Sequence, residues 1–150
     1  MISLVLVSHV YEIAIGAKVL AEQMADAELR IEAVGGISAT TAPNSSLGES
    51  ASGQSTRAVG TDAVQIAEAI QRCWSAEGVL LLIDLGSAVL STELALDLLP
   101  DEMRDLCLIS NAPLVEGAVM AAVEASLGHS LAVVNEAAEG IAQIPKVFRP

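Results

Sequence analysis

The sequence predicts an α/β fold, an open, doubly wound and mainly parallel sheet with helices on both faces, and two observations carry that expectation. Four apolar runs of strand length recur, at 2–7, 31–34, 79–83 and 106–109. They are too continuous to be half exposed, which marks parallel strands covered on both sides. Between and after them lie stretches with helical spacing, at 13–24, 63–73, 88–99 and 115–127. That alternation is the pattern of right-handed crossovers.

The first run carries no basic flank and ends at Ser8-His9, so it reads as a buried strand rather than a signal peptide. The second ends in Gly35-Gly36. The segment that follows, Gly36 to Gly60, is rich in Ser, Thr, Ala and Gly and has too few large apolar side chains to offset its ordering entropy. A long flexible loop is expected at about 36–60. Asp62-Ala-Val-Gln65 then supplies a capping box for the second helix. The third run exits into Asp84-Leu-Gly86-Ser87, and Ser87 is placed to cap the third helix. The fourth exits into Ser110-Asn111-Ala-Pro113, where proline suits the start of a helix, and Gly128 supplies a left-handed stop after Leu127. A further helical stretch at 133–141 leads into a proline-flanked tail at about 142–150, and the whole of 1–150 reads as a single domain.

Composition narrows the function classes. Seven basic and nineteen acidic residues give a net charge of −12, which repels nucleic acid and anionic lipid. One Trp, one Tyr and one Phe offer no stacking platform for bases and no aromatic girdle for a membrane barrel. The apolar run at 79–83 stops at Asp84, well short of the roughly 18 residues that a spanning helix needs. No membrane association and a cytoplasmic location are expected. Cys73 and Cys107 make neither a disulfide framework nor a zinc-ligand spacing, so both are expected to be reduced core residues, and no metal site is read.

In an open parallel sheet, reactive groups gather where the strands end at their carboxyl edge. If the first and third strands are neighbours, His9 and Asp84 emerge side by side. A carboxylate fixes the tautomer of a histidine and leaves its other nitrogen as an outward nucleophile, which is one way to make a phosphohistidine. Backbone N–H groups at a helix N-terminus can cradle phosphate oxygens, and Gly86-Ser87 and Gly60-Thr61 each open a helix. Glu116, in the first turn of the fourth helix, is a supporting candidate at the same edge. His129 follows the Gly128 helix stop and reads as a surface residue. A Ser8-His9-Asp84 hydrolytic triad is geometrically poor, because adjacent residues of one strand point to opposite faces. No G-x-G-x-x-G follows a strand, and no P-loop motif occurs. A receiver-type acidic pair is replaced by Ser8-His9.

Four strings occur in order: Leu-Val-Ser8-His9; Gly60-Thr-Asp62-Ala; Asp84-Leu-Gly-Ser87-Ala-Val-Leu-Ser-Thr-Glu93; and Asn111-Ala-Pro-Leu-Val-Glu-Gly117. With them the chain, from residue 2 to about 128, resembles the phosphocarrier (DhaM) subunits of PTS-dependent dihydroxyacetone kinases, whose fold is that of the mannose-family IIA (EIIA-Man) domain. The resemblance implies the strand order 2-1-3-4 and a homodimer. It implies that His9 is phosphorylated by the phosphohistidine of the carrier HPr, and that Asp84 orients it. Gly60, Thr61, Gly86 and Ser87 are implied to lie around the phosphate. The phosphate would pass to ADP held on the kinase's nucleotide-binding subunit, with dihydroxyacetone bound on a third subunit. No cofactor is bound permanently in this picture; the phosphate on His9 is the cargo.

Two other readings stand beside it: a IIA component of a mannose-family sugar transporter, and a partner-binding module that carries no phosphate. The chain also departs from the family. Val10-Tyr11-Glu12 follow the histidine where a serine is usual, which removes a hydroxyl and brings a negative charge toward an incoming phosphoryl group. The 36–60 segment is longer than the family's usual connection. Some relatives continue into HPr-like and enzyme I-like domains, whereas this chain reads as one domain.

Overall fold

The computed structural model describes residues 1–38 and 57–150. In chain order the elements are β1 (Ser3–Ser8), α1 (Tyr11–Glu22), β2 (Ile31–Gly35), α2 (Ala63–Cys73), β3 (Val79–Ile83), α3 (Ser87–Asp97), α4 (Asp101–Arg104), β4 (Cys107–Ile109), α5 (Leu114–Ser126) and α6 (Leu131–Gly140), followed by a 3₁₀ turn at Ile141–Gln143. The four strands form one parallel sheet in the order β2-β1-β3-β4. The expected α/β class and strand order are both observed.

Register explains how the sheet is filled. Ser3 pairs with Val79 and Val7 with Ile83 across the centre, while Ser8 pairs with Gly35 on the other side. Side chains alternate across the pleat, so Leu4, Leu6, Leu80 and Leu82 meet the alanine-rich faces of α1 and α5, with α6 behind them. Val5, Val7, Leu81 and Ile83 meet α2 and α3 on the opposite face. Burying a Val, Leu or Ile side chain contributes about 1.5–3 kcal/mol, and alanines such as Ala14, Ala118 and Ala121 let the helices lie close to the sheet.

Local chemistry sets several boundaries. Asp62 caps α2, its Oδ1 accepting the N–H groups of Val64 at 2.8 Å and Gln65 at 3.2 Å. Gly128 has φ +80° and stops α5 in the left-handed region. Pro113 is the N-cap of α5, one position earlier than a first-turn residue. Ser87 does not cap α3: it is the first helical residue, Gly86 is the N-cap, and no side chain bonds the helix end.

Continuous burial holds for β1 and β3 but not for the outer strands. All three β4 residues are partly exposed, as are Glu32 and Ala33 of β2, because an edge strand has a neighbour on one side only. Of the 36–60 segment, the described ends form an antiparallel bridge between Ile37 and Ala58, with N–H···O distances of 2.8 and 2.9 Å. The expected long loop otherwise falls on 39–56, outside the described residues. Among the described residues, no helix is long and apolar enough to cross a membrane.

Candidate functional site

β1 and β3 lie side by side, and β2 lies on the other side of β1 from β3. The sheet therefore switches direction of winding between β1 and β3, and their carboxyl ends face the crevice where such folds place ligands. Ser8 is the last residue of β1, and His9 begins the turn into α1. Asp84 follows β3 and stays in register, its N–H bonding the carbonyl of Val7 at 3.1 Å.

The Asp84 carboxylate is held by four donors. Oδ2 accepts the Ser8 hydroxyl at 2.9 Å and the His9 backbone N–H at 2.9 Å. Oδ1 accepts the Leu85 N–H at 2.7 Å. The His9 ring Nδ1 lies 3.0 Å from Oδ1 and 3.2 Å from Oδ2. Burial pushes the Asp84 carboxyl upward, but the bonds from His9, Ser8 and Leu85 outweigh it and hold it below its ordinary value of 3.8. An ionised carboxylate only accepts, so Nδ1 carries a ring proton, and in the neutral ring Nε2 carries the lone pair.

Nε2 meets the Ser87 hydroxyl at 2.9 Å, and in that neutral tautomer Ser87 donates. Ser87 opens α3, and among the described residues the backbone N–H groups of Gly86 and Ser87 find no acceptor. The positive end of a helix with these N–H groups thus lies beside Nε2. The side chains of His9 and Asp84 retain 19% and 13% of their exposure. The ring is therefore screened by protein yet reachable at one edge.

Gly60 joins the site through the backbone, its N–H bonding the His9 carbonyl at 2.9 Å. Its φ of +148° favours glycine, and a Cβ there would also displace the tip of the Ile37 side chain, whose Cδ1 lies 2.5 Å away. Thr61 stands one step back, its hydroxyl bonded to Ser91 of α3 at 2.8 Å. Glu116 borders the same hollow of about 540 Å³ as Asp84, and its carboxylate is paired with Lys146. His129 is on the surface, bonded to Glu124. His9, Asp84 and Ser87 are thus in direct contact, Gly60 touches the backbone of His9, and Thr61 and Glu116 lie at the margin.

Sequence reasoning missed Ser8. The alternation rule separates neighbours within a strand, but β1 ends at Ser8 and His9 has left the pleat, so both reach one carboxylate. Ser8 bonds Asp84 rather than the outward ring nitrogen, so the set is still no hydrolytic triad. The Val10-Tyr11-Glu12 departure is also explained in part: Val10 is an N-cap without a side-chain bond, and the Ser8 hydroxyl accepts its N–H at 3.1 Å. Tyr11 stacks under the Arg57 guanidinium, 4.2 Å from the ring centroid. Neither thiol is activated. Burial raises Cys73, and burial followed by the Cys73 charge pushes Cys107 up to about 11. Among the described residues, no three His, Cys, Asp or Glu side chains are grouped to hold a metal ion.

Comparison with known proteins gives this geometry relatives. The EIIA-man family model, described as PTS system fructose IIA component, matches residues 3–135. A Listeria innocua protein named PEP-dependent dihydroxyacetone kinase 2, phosphoryl donor subunit DhaM, is 38% identical over 143 residues, 95% of each chain. A Providencia stuartii protein named PEP-dependent dihydroxyacetone kinase, phosphoryl donor subunit DhaM, is also 38% identical, over 94% of this chain. The chain spans only 27% of the length of that second relative. Among solved structures, a crystal structure described as unknown function protein EF1359 matches with a TM-score of 0.71 and 32% identity, covering 93% of both chains.

Proposed function

The chain belongs to the EIIA-man family, and from that premise we propose that it is the phosphoryl-carrier component of a PTS-dependent dihydroxyacetone kinase, working in the cytoplasm as a homodimer. The observation that carries the chemistry is the Ser87–His9–Asp84 chain of contacts, which commits Nδ1 to Asp84 and leaves Nε2, met among the described residues only by the Ser87 hydroxyl, as the nucleophile. The resemblance to a phosphoryl donor subunit over 95% of both chains supports the assignment to a kinase rather than to a sugar transporter.

In this reading the Nε2 lone pair attacks the phosphorus of phosphohistidine on HPr. The P–N bond of the donor breaks, its electron pair returns to the donor nitrogen, and a new P–N bond forms at His9. Asp84 keeps its bond to Nδ1–H and stabilises the ring as charge develops. The Ser87 hydroxyl releases Nε2 and, with the Gly86 and Ser87 N–H groups, faces the phosphoryl oxygens. The second transfer runs the other way: a terminal oxygen of ADP on the nucleotide-binding subunit attacks phosphorus, and Nε2 recovers its electron pair. ATP formed there phosphorylates dihydroxyacetone on the third subunit. No resident cofactor is required, because the phosphoryl group is the cargo.

Incubation with phosphoenolpyruvate, enzyme I and HPr should add the mass of one phosphoryl group to the intact chain, and His9→Ala should abolish it. Retention of acid-labile phosphate on His9→Ala would overturn the reading. Transfer onward to kinase subunits loaded with ADP, and not to permease components, separates the kinase from the sugar-transporter alternative. Failure of the wild-type chain to take phosphate would favour the non-catalytic module.

A further inference from the structure

We propose that Ser8 is a positioning residue for phosphoryl transfer, acting on His9 through Asp84; the proposal rests on the phosphocarrier reading of His9. The Ser8 side chain has no solvent exposure, so its hydroxyl must be satisfied within the protein. It is satisfied twice. The Val10 N–H takes an acceptor position at 3.1 Å and fixes the oxygen, leaving the hydroxyl proton for Asp84 Oδ2 at 2.9 Å.

This ties three chain segments to one carboxylate oxygen: the end of β1, the turn into α1 and the residue after β3. A carboxylate has a broad, soft terminal torsion and turns unless both its oxygens are held. Leu85 N–H holds Oδ1, and Ser8 together with the His9 N–H holds Oδ2. With both oxygens fixed, the plane of the carboxylate is aimed at Nδ1. The ring proton then stays on Nδ1 and the lone pair on Nε2. Ser8 also supplies what Val10 does not, since no side chain caps α1 and the Ser8 hydroxyl takes up the N–H of its N-cap residue. Being fully buried, Ser8 has no surface with which to touch a donor or an acceptor.

Ser8→Ala and Ser8→Thr in the full chain test this by two readouts. Phosphorylation by phospho-HPr should show kcat reduced about tenfold to hundredfold in Ser8→Ala, with KM for the donor unchanged and the rate restored by Ser8→Thr. Ring ¹⁵N shifts of His9 in the neutral state should report Nδ1–H in the wild type and in Ser8→Thr, and a measurable Nε2–H fraction in Ser8→Ala. Wild-type kcat and wild-type shifts in Ser8→Ala would overturn the proposal. So would a loss in Ser8→Ala that Ser8→Thr fails to restore while the Nδ1–H signature is intact, because that marks a purely structural serine. If the wild type itself takes no phosphoryl group, the phosphocarrier reading fails, and the nitrogen shifts still decide the role of Ser8.

Discussion

Ser87 Oγ lies 2.9 Å from His9 Nε2, so the one ring nitrogen not committed to Asp84 already carries a hydroxyl at the mouth of a helix. A residue read from sequence both as a helix cap and as lining the phosphate is thus in direct contact with the histidine, while capping nothing. The contact holds the ring edge at the N-terminus of α3, the geometry that the proposed phosphoryl transfer would use.

Ser87→Ala should consequently slow phosphorylation of His9 by about tenfold, the loss expected for one hydrogen bond near a charged transition state. Because Ser87 is exposed and caps nothing, its removal should change stability by no more than about 0.5 kcal/mol. Stopped-flow transfer from phospho-HPr and urea unfolding of the same sample check both statements. An unchanged rate would show the hydroxyl to be a bystander.

Asp84 makes stability depend on pH in a definite direction. Its folded carboxyl lies below 3.8, so it stabilises the fold above the unfolded value and loses that contribution as pH falls through the folded value. The difference in stability between the wild type and Asp84→Asn should be largest near neutral pH and should shrink progressively below pH 3.8. Urea midpoints measured from pH 7 downward provide the curve. A difference that grows on acidification would contradict the sign.

How far the sequence carried depends on what each element senses. β1 and β3 are legible because both faces are covered, so Val79–Ile83 is an unbroken apolar string. α2 is legible to the residue, since Asp62 and the 63–73 periodicity are both local. β4 is shorter and half exposed, and α4 spans four residues after Pro100, too few for a periodicity to register. Neighbour relations are different in kind: nothing within β1 or β3 says that they pair, and the order 2-1-3-4 came with the family resemblance. His9 and Asp84 followed once that pairing was granted. Ser8 did not, because the strand ends between it and His9.

Gly60 offers a test of the backbone beneath the histidine. An alanine there meets both φ +148° and the Ile37 side chain at 2.5 Å, so Gly60→Ala should cost about 1–3 kcal/mol in urea unfolding. The Gly60 N–H to His9 carbonyl bond should loosen with it. Slower phosphorylation is then expected alongside the lost stability, whereas a Gly60→Ala protein of wild-type stability would show that the turn tolerates a side chain.

In the proposed role, the net charge of −12 governs the encounter with the donor. A strongly acidic protein attracts a donor with a basic face at long range, and the attraction shortens from a Debye length of about 10 Å at 0.1 M salt to about 3 Å at 1 M. The proposed bond-making step at Nε2 would take place inside contacts of about 3 Å and feel little of that screening. Raising the salt should therefore lower kcat/KM for phospho-HPr steeply, by about tenfold across this range, while kcat at saturating donor holds steady. Exposed Glu12, in the first turn of α1, brings part of that charge near the site, so Glu12→Gln should flatten the salt dependence without abolishing it. Equal falls in kcat and kcat/KM would place the effect of salt on the chemistry, and an encounter indifferent to salt would mean that shape alone brings the two proteins together.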